Sequence, residues 1–510
     1  MDAPYDAIVV GSGATGGWAA KELTEAGLSV ALLEAGPALP FDESLREVDA
    51  PSELPSPPSQ SIQARCYAFN EHTRHLFVDD LENPYTHPEE MPFEWIRSRQ
   101  VGGRMHLWGR MCLRMSDLDF KAASCDGAGE DWPISYADLA PFYDRVERFL
   151  DVCGTPEGLP QLPDGPFERT PQLSAGERHF KAAVEGRWPE RRVSGGRIAL
   201  APDDATLAAA GRTGRLTLYS DAVVSRVLTG KGERASGVAY VERQSGAERE
   251  LSGRVVVLCA SAIESTRLLL NSASGGLANS SGVLGHYLMD HTYGIGFDGS
   301  LPQRTQGSAK RSSFGCFVTP FRNVGGDDGL GFLRSYGVEL QIYTPVAGAL
   351  GRLRAGGRRS AGYFWMRTFG EVLPRFENRV TVDPGKTDAW GIPVAHIACR
   401  YGENELKMAA DQREALGEMV EAAGLEVERA HTELAPPGLS IHEMGSARMG
   451  GDPATSVLNP HNRAWDVPNL YVTDGASFTS GGSQNPTLTM MALTVRACDD
   501  IVARLKQGEL

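Results

Sequence analysis

The sequence predicts an α/β protein with more than one domain, and three observations support this. The chain has 510 residues, more than a single hydrophobic core usually accommodates. Its first residues, YDAIVVGSGATGGWAAKELTEAGLSVALLEAG, have the pattern of strand, glycine turn, helix and strand. Residues 290–435 differ in character, with strand-like runs separated by glycine- and arginine-rich breaks. We therefore expect a parallel α/β domain joined to a second domain with its own sheet.

Within the opening segment, apolar AIVV and VALL predict short buried strands, and WAAKELTEAG predicts a helix that ends at a glycine. Residues 38–95 follow and contain the proline-rich run PSELPSPPSQS. Because proline lacks the backbone N–H that helices and ladders use, we expect this segment to be an irregular excursion or lid.

Farther along, Ser135 and Asp138 have the spacing of a capping pair, which predicts a helix start at Ser135. GRLTLYSDAVVSRVLTG and ASGVAYVERQSGAERELSGRVVVLCAS predict strands and hairpins, and AIESTRLLLNS predicts a helix after a buried strand. The breaks NVGGDDGLG and GRLRAGGRRSAG predict either surface loops or a substrate lid. NLYVTDGASF predicts a strand and turn, and NPTLTMMALTVRACDDIVARL predicts the closing helix.

Charge and composition exclude several classes of function. The net charge of −15 argues against a nucleic-acid surface, which needs a basic face. No apolar run has the length of a membrane span, and the first residues lack the basic region of a signal peptide. The eight cysteines form no C-x-x-C pair, which predicts reduced thiols, no metal site and no c-type haem. We therefore expect a cytoplasmic protein without nucleic-acid or membrane partners.

The glycine turn is the first feature that points to a ligand. Gly11, Gly13 and Gly16 form G-x-G-x-x-G between a predicted strand and a predicted helix. The first glycine permits the tight turn, the second lets a pyrophosphate approach the backbone, and the third lets helix and strand pack closely. Glu34 ends the second strand, where a carboxylate accepts hydrogen bonds from an adenosine ribose. This pattern predicts a dinucleotide, with FAD or NAD preferred over NADP.

Four further stretches carry a resemblance to a known family: RSRQVGGRMHLWGRMCLRM (97–115), VVVLCASAIESTRLLLNS (255–272), LPRFENRVTVDPGKTDAWGIPV (373–394), and HEMGSARMGG with the later NLYVTDGASFTSGGSQNPTLTMMALTVRA. With the glycine turn, they resemble the glucose–methanol–choline (GMC) family of FAD oxidoreductases along nearly the whole chain. Within that family, the chain looks most like the sugar-oxidising branch of pyranose oxidases, C-glycoside 3-oxidases and glucoside 3-dehydrogenases.

The resemblance implies a discontinuous Rossmann-type FAD-binding domain and an α+β substrate domain whose antiparallel sheet roofs the flavin ring. The expected segments are 1–37, 96–125, 195–290 and 440–510 for the FAD-binding domain, 126–194 and 291–439 for the substrate domain, and 38–95 for the excursion or lid.

The resemblance also implies which residues hold FAD. Val224 falls where the family contacts the adenine through its main chain, and Asp474 and Gly475 fall where it holds the ribityl–phosphate region. The full expected set is Gly11, Gly13, Ala14, Thr15, Gly16, Glu34, Ala35, Gly102, Gly103, Arg104, Met105, His106, Val224, Ala260, Asp474, Gly475, Asn485, Pro486 and Thr487.

The flavin is expected to be held without a covalent link. In pyranose oxidases the linking histidine lies four places after the paired glycines; here that place is Leu107, and the histidine is His106. A one-residue shift on a strand-like segment would turn the ring to the opposite face. The sequence therefore predicts non-covalent FAD.

Oxidation of an alcohol by a flavin needs a base for the hydroxyl proton and a donor that orients the alcohol oxygen. The resemblance places these roles on His442 and Asn485. Asn485 is also expected to be the N-cap of the closing helix, whose positive end and Thr487 N–H would stabilise negative charge on the reduced flavin. For His286 and His291, sugar contacts and ordinary structural roles both stay open.

We therefore expect oxidation of a pyranose or glycoside ring hydroxyl, at C3 or C2, to a keto-sugar by hydride transfer to flavin N5. The electron acceptor is expected to be oxygen, a quinone or a separate protein, and a homo-oligomer is left open. The alternatives are dehydrogenation of another secondary alcohol (a cyclitol, aminoglycoside precursor or sterol), a hydroxynitrile lyase-like protein with structural FAD, and a flavin-binding subunit without turnover.

Overall fold

The structure is a computed structural model that describes residues 4–39, 58–230, 232–301, 315–343 and 362–510. These residues form nine α-helices: α1 (Ala14–Glu25), α2 (Asp117–Phe120), α3 (Ala122–Asp126), α4 (Tyr136–Phe149), α5 (Ala175–Arg187), α6 (Ala205–Arg212), α7 (Ala262–Ser272), α8 (Glu403–Ala422) and α9 (Thr487–Gln507). In this part of the chain, no helix is long and apolar enough to cross a membrane.

The same residues form sixteen strands: β1 (Tyr5–Val10), β2 (Val30–Leu33), β3 (Val193–Gly195), β4 (Leu216–Tyr219), β5 (Ala222–Thr229), β6 (Ala235–Glu242), β7 (Glu248–Leu258), β8 (His291–Thr292), β9 (Gly296–Leu301), β10 (Cys316–Val318), β11 (Tyr336–Tyr343), β12 (Gly362–Glu371), β13 (Arg379–Thr387), β14 (Pro393–Ala398), β15 (Glu426–His431) and β16 (Leu470–Val472).

The first sheet is mixed and contains the predicted opening strands. Its order is β4-β2-β1-β7-β6-β5, and β16 also pairs with β7. The second half of β7 lies parallel to β1 and β16, whereas its first half pairs antiparallel with β6. Both faces of the parallel part are covered, because β1 and β2 contribute buried residues to two separate cores. Continuous apolar runs such as AIVV are what a strand buried on both faces requires.

The second sheet is antiparallel, in the order β15-β9-β12-β11-β10-β3, with β8 paired to β12. We call it the roof sheet. Val338 and Leu340 on β11 and Met366 on β12 belong to one hydrophobic core. Buried side chains of α5 and α8 belong to the same core. Because side chains alternate between the two faces of a strand, Glu339 and its cross-strand partner Arg367 lie on the other face. The expected α/β fold with an additional antiparallel sheet is confirmed.

Several local predictions are also confirmed. Ser135 caps α4 in a reciprocal capping box with Asp138. The helix predicted after a buried strand is α7, which follows β7. By contrast, α5, α6 and α8 have no counterpart among the predicted helices. The predicted hairpins are found in the β5–β6–β7 meander, but β4 pairs parallel with β2.

Two of the predicted irregular regions are described only in part. The proline-rich run is described from Pro58, where a 3₁₀ helix, Pro58–Gln60, begins. The break NVGGDDGLG is a closed loop, in which Asn323 and Asp328 each accept the other's backbone N–H. The second break lies outside the described residues except for Gly362. The expected domain boundaries stay a prediction.

Candidate active site

The glycine turn connects β1 to α1 and leaves open space at one position. A Cβ on Gly11 would lie 2.5 Å from the Cys259 carbonyl oxygen, and a Cβ on Gly16 would lie 1.7 Å from the Gly11 carbonyl oxygen. These two glycines are required by packing. A Cβ on Gly13 would meet no atom within 4 Å, and Gly13 is the N-cap of α1 without a side-chain cap. The free helix N-terminus and the open space fit a pyrophosphate.

We expect Gly13→Val to weaken FAD binding at least about tenfold, because the new side chain fills this space, a loss of about 1.4 kcal/mol. The unfolding temperature of the FAD-free protein should hardly change, since the backbone at Gly13 is extended and a Cβ there would meet no atom within 4 Å. Fluorescence titration with FAD and thermal unfolding measure the two effects.

Gly16→Ala is the matched control for this substitution. Its Cβ would collide with backbone, so it should lower the unfolding temperature even without FAD. If Gly13→Val bound FAD as tightly as the native protein, the open space at Gly13 would not be the pyrophosphate site.

Glu34 joins the glycine turn to the turn at Gly102. Its carboxylate accepts the Ser12 backbone N–H at 3.0 Å, the Ser12 hydroxyl at 2.6 Å and the Gly36 N–H at 3.1 Å. Ser12 Oγ in turn accepts the Gly102 N–H at 2.9 Å. Burial raises the pKa of Glu34, and these hydrogen bonds oppose the rise. The expected contact of Glu34 with a ribose stays a prediction.

The segment after Gly102 corrects one expectation. Gly102 and Gly103 have φ of 91° and 52°, and residues Gly103–Leu107 form a 3₁₀ helix rather than a strand. Two successive left-handed residues start a tight turn, so the alternation argument for His106 was wrong. His106 instead bonds through Nε2 to the Val101 carbonyl at 2.8 Å. Arg104, one of the residues expected to hold FAD, pairs with Glu443 at 2.9 Å.

The other expected cofactor residues follow the carboxyl ends of the parallel strands. Ala260 comes after β7, and its N–H bonds to Ser265 Oγ at 3.1 Å. Asp474 comes after β16; its carboxylate accepts the Ser265 hydroxyl and the Ala476 N–H. Burial raises the pKa of Asp474 to about 6. These residues lie at the same edge of the sheet as the glycine turn. Ligands of such sheets bind outside the carboxyl ends of the strands, so this edge is where we expect FAD.

Three of the residues expected to hold FAD do not follow a parallel strand. Val224 is on β5, two residues after Ala222, whose N–H bonds to the Glu34 carbonyl at 2.9 Å. Pro486 and Thr487 stand at the start of α9. Of the remaining expected residues, Ala14 and Thr15 begin α1 and Met105 lies in the 3₁₀ helix Gly103–Leu107. Ala35 follows β2, and Gly475 begins a 3₁₀ helix, Gly475–Ser477, after β16.

His442 is held next to a second histidine. The Nδ1 atoms of His442 and His291 are 2.9 Å apart, and the rings are nearly perpendicular, at 81°. His291 also bonds through Nε2 to the Gly482 carbonyl oxygen at 2.9 Å. Burial lowers the pKa of His442 well below its ordinary value, and His291 and Arg104 lower it further. His442 is therefore neutral at neutral pH and able to accept a proton. His286, in contrast, stacks on Phe376, outside this pair.

Asp290 holds the loop that presents His442. Its carboxylate accepts the Gly438 N–H at 2.6 Å, the Ser440 hydroxyl, and the His442 N–H at 3.1 Å. Between them, Ile441 has φ of 64°, a conformation that β-branched residues rarely adopt. Strained residues of this kind persist where the surroundings overdetermine them, often at functional sites.

Asn485 contacts the roof sheet. Its side chain donates a hydrogen bond to Glu339, and burial raises the pKa of this carboxyl to about 7. The expected N-cap role of Asn485 is wrong: α9 begins at Thr487, and Pro486 occupies the N-cap position without a side-chain cap. The amide is engaged by Glu339, so it does not turn back to the helix N–H groups.

Aromatic side chains complete this region. Phe369 lies 5.6 Å from His442 and 5.4 Å from Tyr293, measured between ring centroids. Tyr67, from the irregular segment, donates its hydroxyl to the Leu107 carbonyl at 3.3 Å. Tyr67 is 57% exposed, and Glu339 and Tyr293 lie near it. Together, His442, Asn485, Glu339 and these aromatic residues are the candidate active site.

Sequence reasoning did not single out Glu339 or Asp290, and it left His291 open. The strand YGVELQIY carries a glutamate as its one charged residue, which was the available signal for Glu339. Nothing local distinguished Asp290, since its partners lie about 150 residues away.

Comparison with known proteins places this arrangement in a family. The GMC oxidoreductase models match residues 200–293 and residues 374–494. The 2-methyl-1,2-propanediol dehydrogenase of Mycolicibacterium austroafricanum is 31% identical over an alignment of 547 positions, covering 98% of this chain and 95% of the relative. The chain belongs to the GMC oxidoreductase family. It is an FAD-binding oxidoreductase, as expected.

Two further likenesses agree with this assignment. The C-glycoside 3-oxidase of Arthrobacter globiformis is 27% identical over an alignment of 547 positions, covering all of this chain (100%) and 97% of the relative. The pyridoxine 4-oxidase from Mesorbium loti has a similar fold, with a TM-score of 0.65 at 18% identity, covering 97% of this chain and 98% of that one.

Proposed function

We propose that the protein oxidises a secondary ring hydroxyl of a pyranose sugar or glycoside, at C3 or C2, to a keto-sugar. The proposal rests on a neutral, oriented His442 and on Asn485, whose side chain bonds to Glu339 of the roof sheet. His442 takes the hydroxyl proton, and the Asn485 amide donates to the alcohol oxygen. FAD, when bound, supplies the acceptor for the hydride.

The chemistry around this pair suits a sugar. Sugars present hydroxyl groups beside apolar C–H faces, so they bind where polar groups adjoin aromatic rings. Glu339 offers acceptor oxygens, Tyr67 and Tyr293 offer hydroxyls, and Phe369 offers an apolar face next to His442. Similarity to a C-glycoside 3-oxidase is consistent with this substrate class.

We also propose that FAD is bound without a covalent link. His106 supports this, because its Nε2 is engaged by the Val101 carbonyl of its own turn. Acid precipitation should therefore release all the flavin into the supernatant. The electron acceptor is proposed to be oxygen, a quinone or a separate protein.

The function is tested by following the visible flavin band under anaerobic conditions as glucose, simple glycosides and C-glycosides are added. The proposal predicts bleaching with a sugar, and admission of air then separates an oxidase from a dehydrogenase by the speed of recovery. A band that no sugar bleaches would refute the proposed substrate class; if no alcohol bleaches it either, FAD has a structural role.

A short-chain diol is the second candidate substrate, and the 31% identical propanediol dehydrogenase favours it. The same titration with 2-methyl-1,2-propanediol decides between the two. Bleaching by the diol at concentrations where sugars have no effect would select this candidate.

Glu339 should impose a pH dependence on stability. Its pKa is about 7 in the folded chain, above the ordinary value of 4.5, mainly because of burial. The folded protein therefore binds more protons between these values, so stability falls as pH rises through this window and levels off above about 7. We expect Glu339→Gln to raise the unfolding temperature relative to the native protein at pH 8 but scarcely at pH 5.

Scanning calorimetry of the holoenzyme at both pH values measures this difference. Glu428→Gln, on the exposed edge strand β15, is the matched control and should give the same small change at each pH. An equal effect of Glu339→Gln at pH 5 and pH 8 would contradict a buried, titrating carboxyl at this position.

A further inference from the structure

The two facing histidines share a single hydrogen atom between their Nδ1 positions. A neutral imidazole has one N–H donor and one acceptor nitrogen. At 2.9 Å, the Nδ1 atoms of His291 and His442 are at hydrogen-bond distance, so one of them donates and the other accepts. Which of the two donates determines which nitrogen of His442 has a free lone pair.

The Gly482 carbonyl settles the direction. A carbonyl oxygen only accepts, so His291 Nε2, at 2.9 Å from it, carries the hydrogen. Burial lowers the pKa of His291 to about 4, so this ring is neutral at neutral pH and its Nδ1 has no hydrogen. His291 Nδ1 therefore accepts, and His442 Nδ1 donates.

We propose that His291 is a positioning residue that holds His442 in the Nδ1–H tautomer and leaves its Nε2 lone pair to receive the substrate's hydroxyl proton. This inference rests on the proposed function of His442 as the base. The proton that leaves the alcohol oxygen binds to Nε2, and the Nδ1–H bond to His291 is kept throughout. No other group in the site has to change its protonation state for this step.

The turn that carries the Gly482 carbonyl is itself held in place. Glu371 accepts hydrogen bonds from the backbone N–H groups of Gly481 and Gly482, in the same turn as the Gly482 carbonyl that binds His291. Arg334 pairs with Glu371 at 3.0 Å. The chain of contacts thus runs from Arg334 through Glu371 and Gly482 to the two rings.

Other titratable and charged groups surround the pair without competing for its Nδ1 atoms. Asp290 is bonded to the 438–442 backbone, Arg104 is paired with Glu443, and the Tyr401 hydroxyl donates to the His291 backbone carbonyl at 3.1 Å. Glu339 is bonded to Asn485. Arg104 disfavours a proton on His442, and this acts in the same direction as burial.

The tautomer is tested directly by ¹⁵N NMR of the oxidised holoenzyme with ¹⁵N-labelled histidine. The His442 signals are identified by their loss in His442→Ala. We expect a protonated Nδ1 and an unprotonated Nε2 for His442, and the reverse for His291. A protonated Nε2 on neutral His442 would overturn the proposal without any measurement of turnover.

Two substitutions at His291 test the consequence for the reaction. His291→Leu removes the acceptor and should slow flavin reduction at saturating sugar about 10- to 100-fold, the usual cost of losing a hydrogen bond that orients a functional imidazole. His291→Asn keeps an acceptor oxygen near the Nδ1 position and should retain most of the rate. Sugar affinity and FAD content should stay close to native in both, whereas a merely structural role would change them.

The outcomes separate the two proposals. If sugar reduces the flavin of His442→Ala at the native rate, the proposed function fails. If His442→Ala is inactive but His291→Leu is as fast as the native enzyme, only the positioning role fails. Should His291→Leu not fold, the wild-type NMR measurement and His291→Asn still decide.

Discussion

His442→Ala is expected to retain FAD but to reduce it with sugar about 10²- to 10⁴-fold more slowly, the contribution usually made by a positioned general base. The substitution removes the only group that we assign to the hydroxyl proton. It leaves Asp290 bonded to the Gly438 N–H and the Ser440 hydroxyl, so the loop keeps most of its support. Anaerobic stopped-flow measurement of the flavin band at neutral pH gives the rate.

Two comparisons make this result specific. His87→Ala, an exposed histidine in the irregular segment, should have the native rate. Raising the pH should partly restore the rate of His442→Ala, because hydroxide replaces the missing base. Native activity of His442→Ala at neutral pH would exclude His442 as the base.

Asn485→Ala is expected to lower the rate of flavin reduction about 10²- to 10³-fold, the cost of removing one donor to a developing oxyanion. It also leaves Glu339 without its amide donor, and unsatisfied buried acceptors cost about 1–3 kcal/mol. We therefore expect a lower unfolding temperature above pH 7, where this carboxyl is ionised, together with the kinetic loss.

The matched control is Ser483→Ala in the same loop, because Ser483 bonds to Gln484 through its backbone N–H. It should preserve both rate and stability. Asn485→Ala with a native rate but reduced stability would limit Asn485 to a structural role beneath the roof sheet.

The predictions that held rest on local patterns. The capping box of Ser135 and Asp138 involves residues three apart, and the strand–glycine–helix turn involves neighbours in the chain. Such features depend on the conformational freedom of glycine and on hydrogen bonds between residues a few positions apart. The family resemblance added the distant motifs, of which those containing Gly102, Ala260 and Asp474 lie at the carboxyl edge of the parallel strands.

The predictions that failed depended on contacts between distant segments. Asn485 has the sequence of an N-cap, but Glu339 on the roof sheet engages its amide. Leu107 and His106 were placed on a strand because the turn made by Gly102 and Gly103 was not recognised. His291 gained a role only because the folded chain brings Gly482 to one side of its ring and His442 to the other.

The edge formed by β1, β7 and β16 has a consequence for folding in the cell. Ser12, Gly102, Ser265 and Asp474 come together there, although nearly the whole length of the chain separates the first from the last. A chain in which β16 has not yet paired with β7 lacks part of this edge, so FAD has no complete site until these distant segments have come together. Once bound, FAD stabilises only the finished fold, by an amount that grows with its concentration. Flavin supply should therefore control how much of this protein survives in the cell.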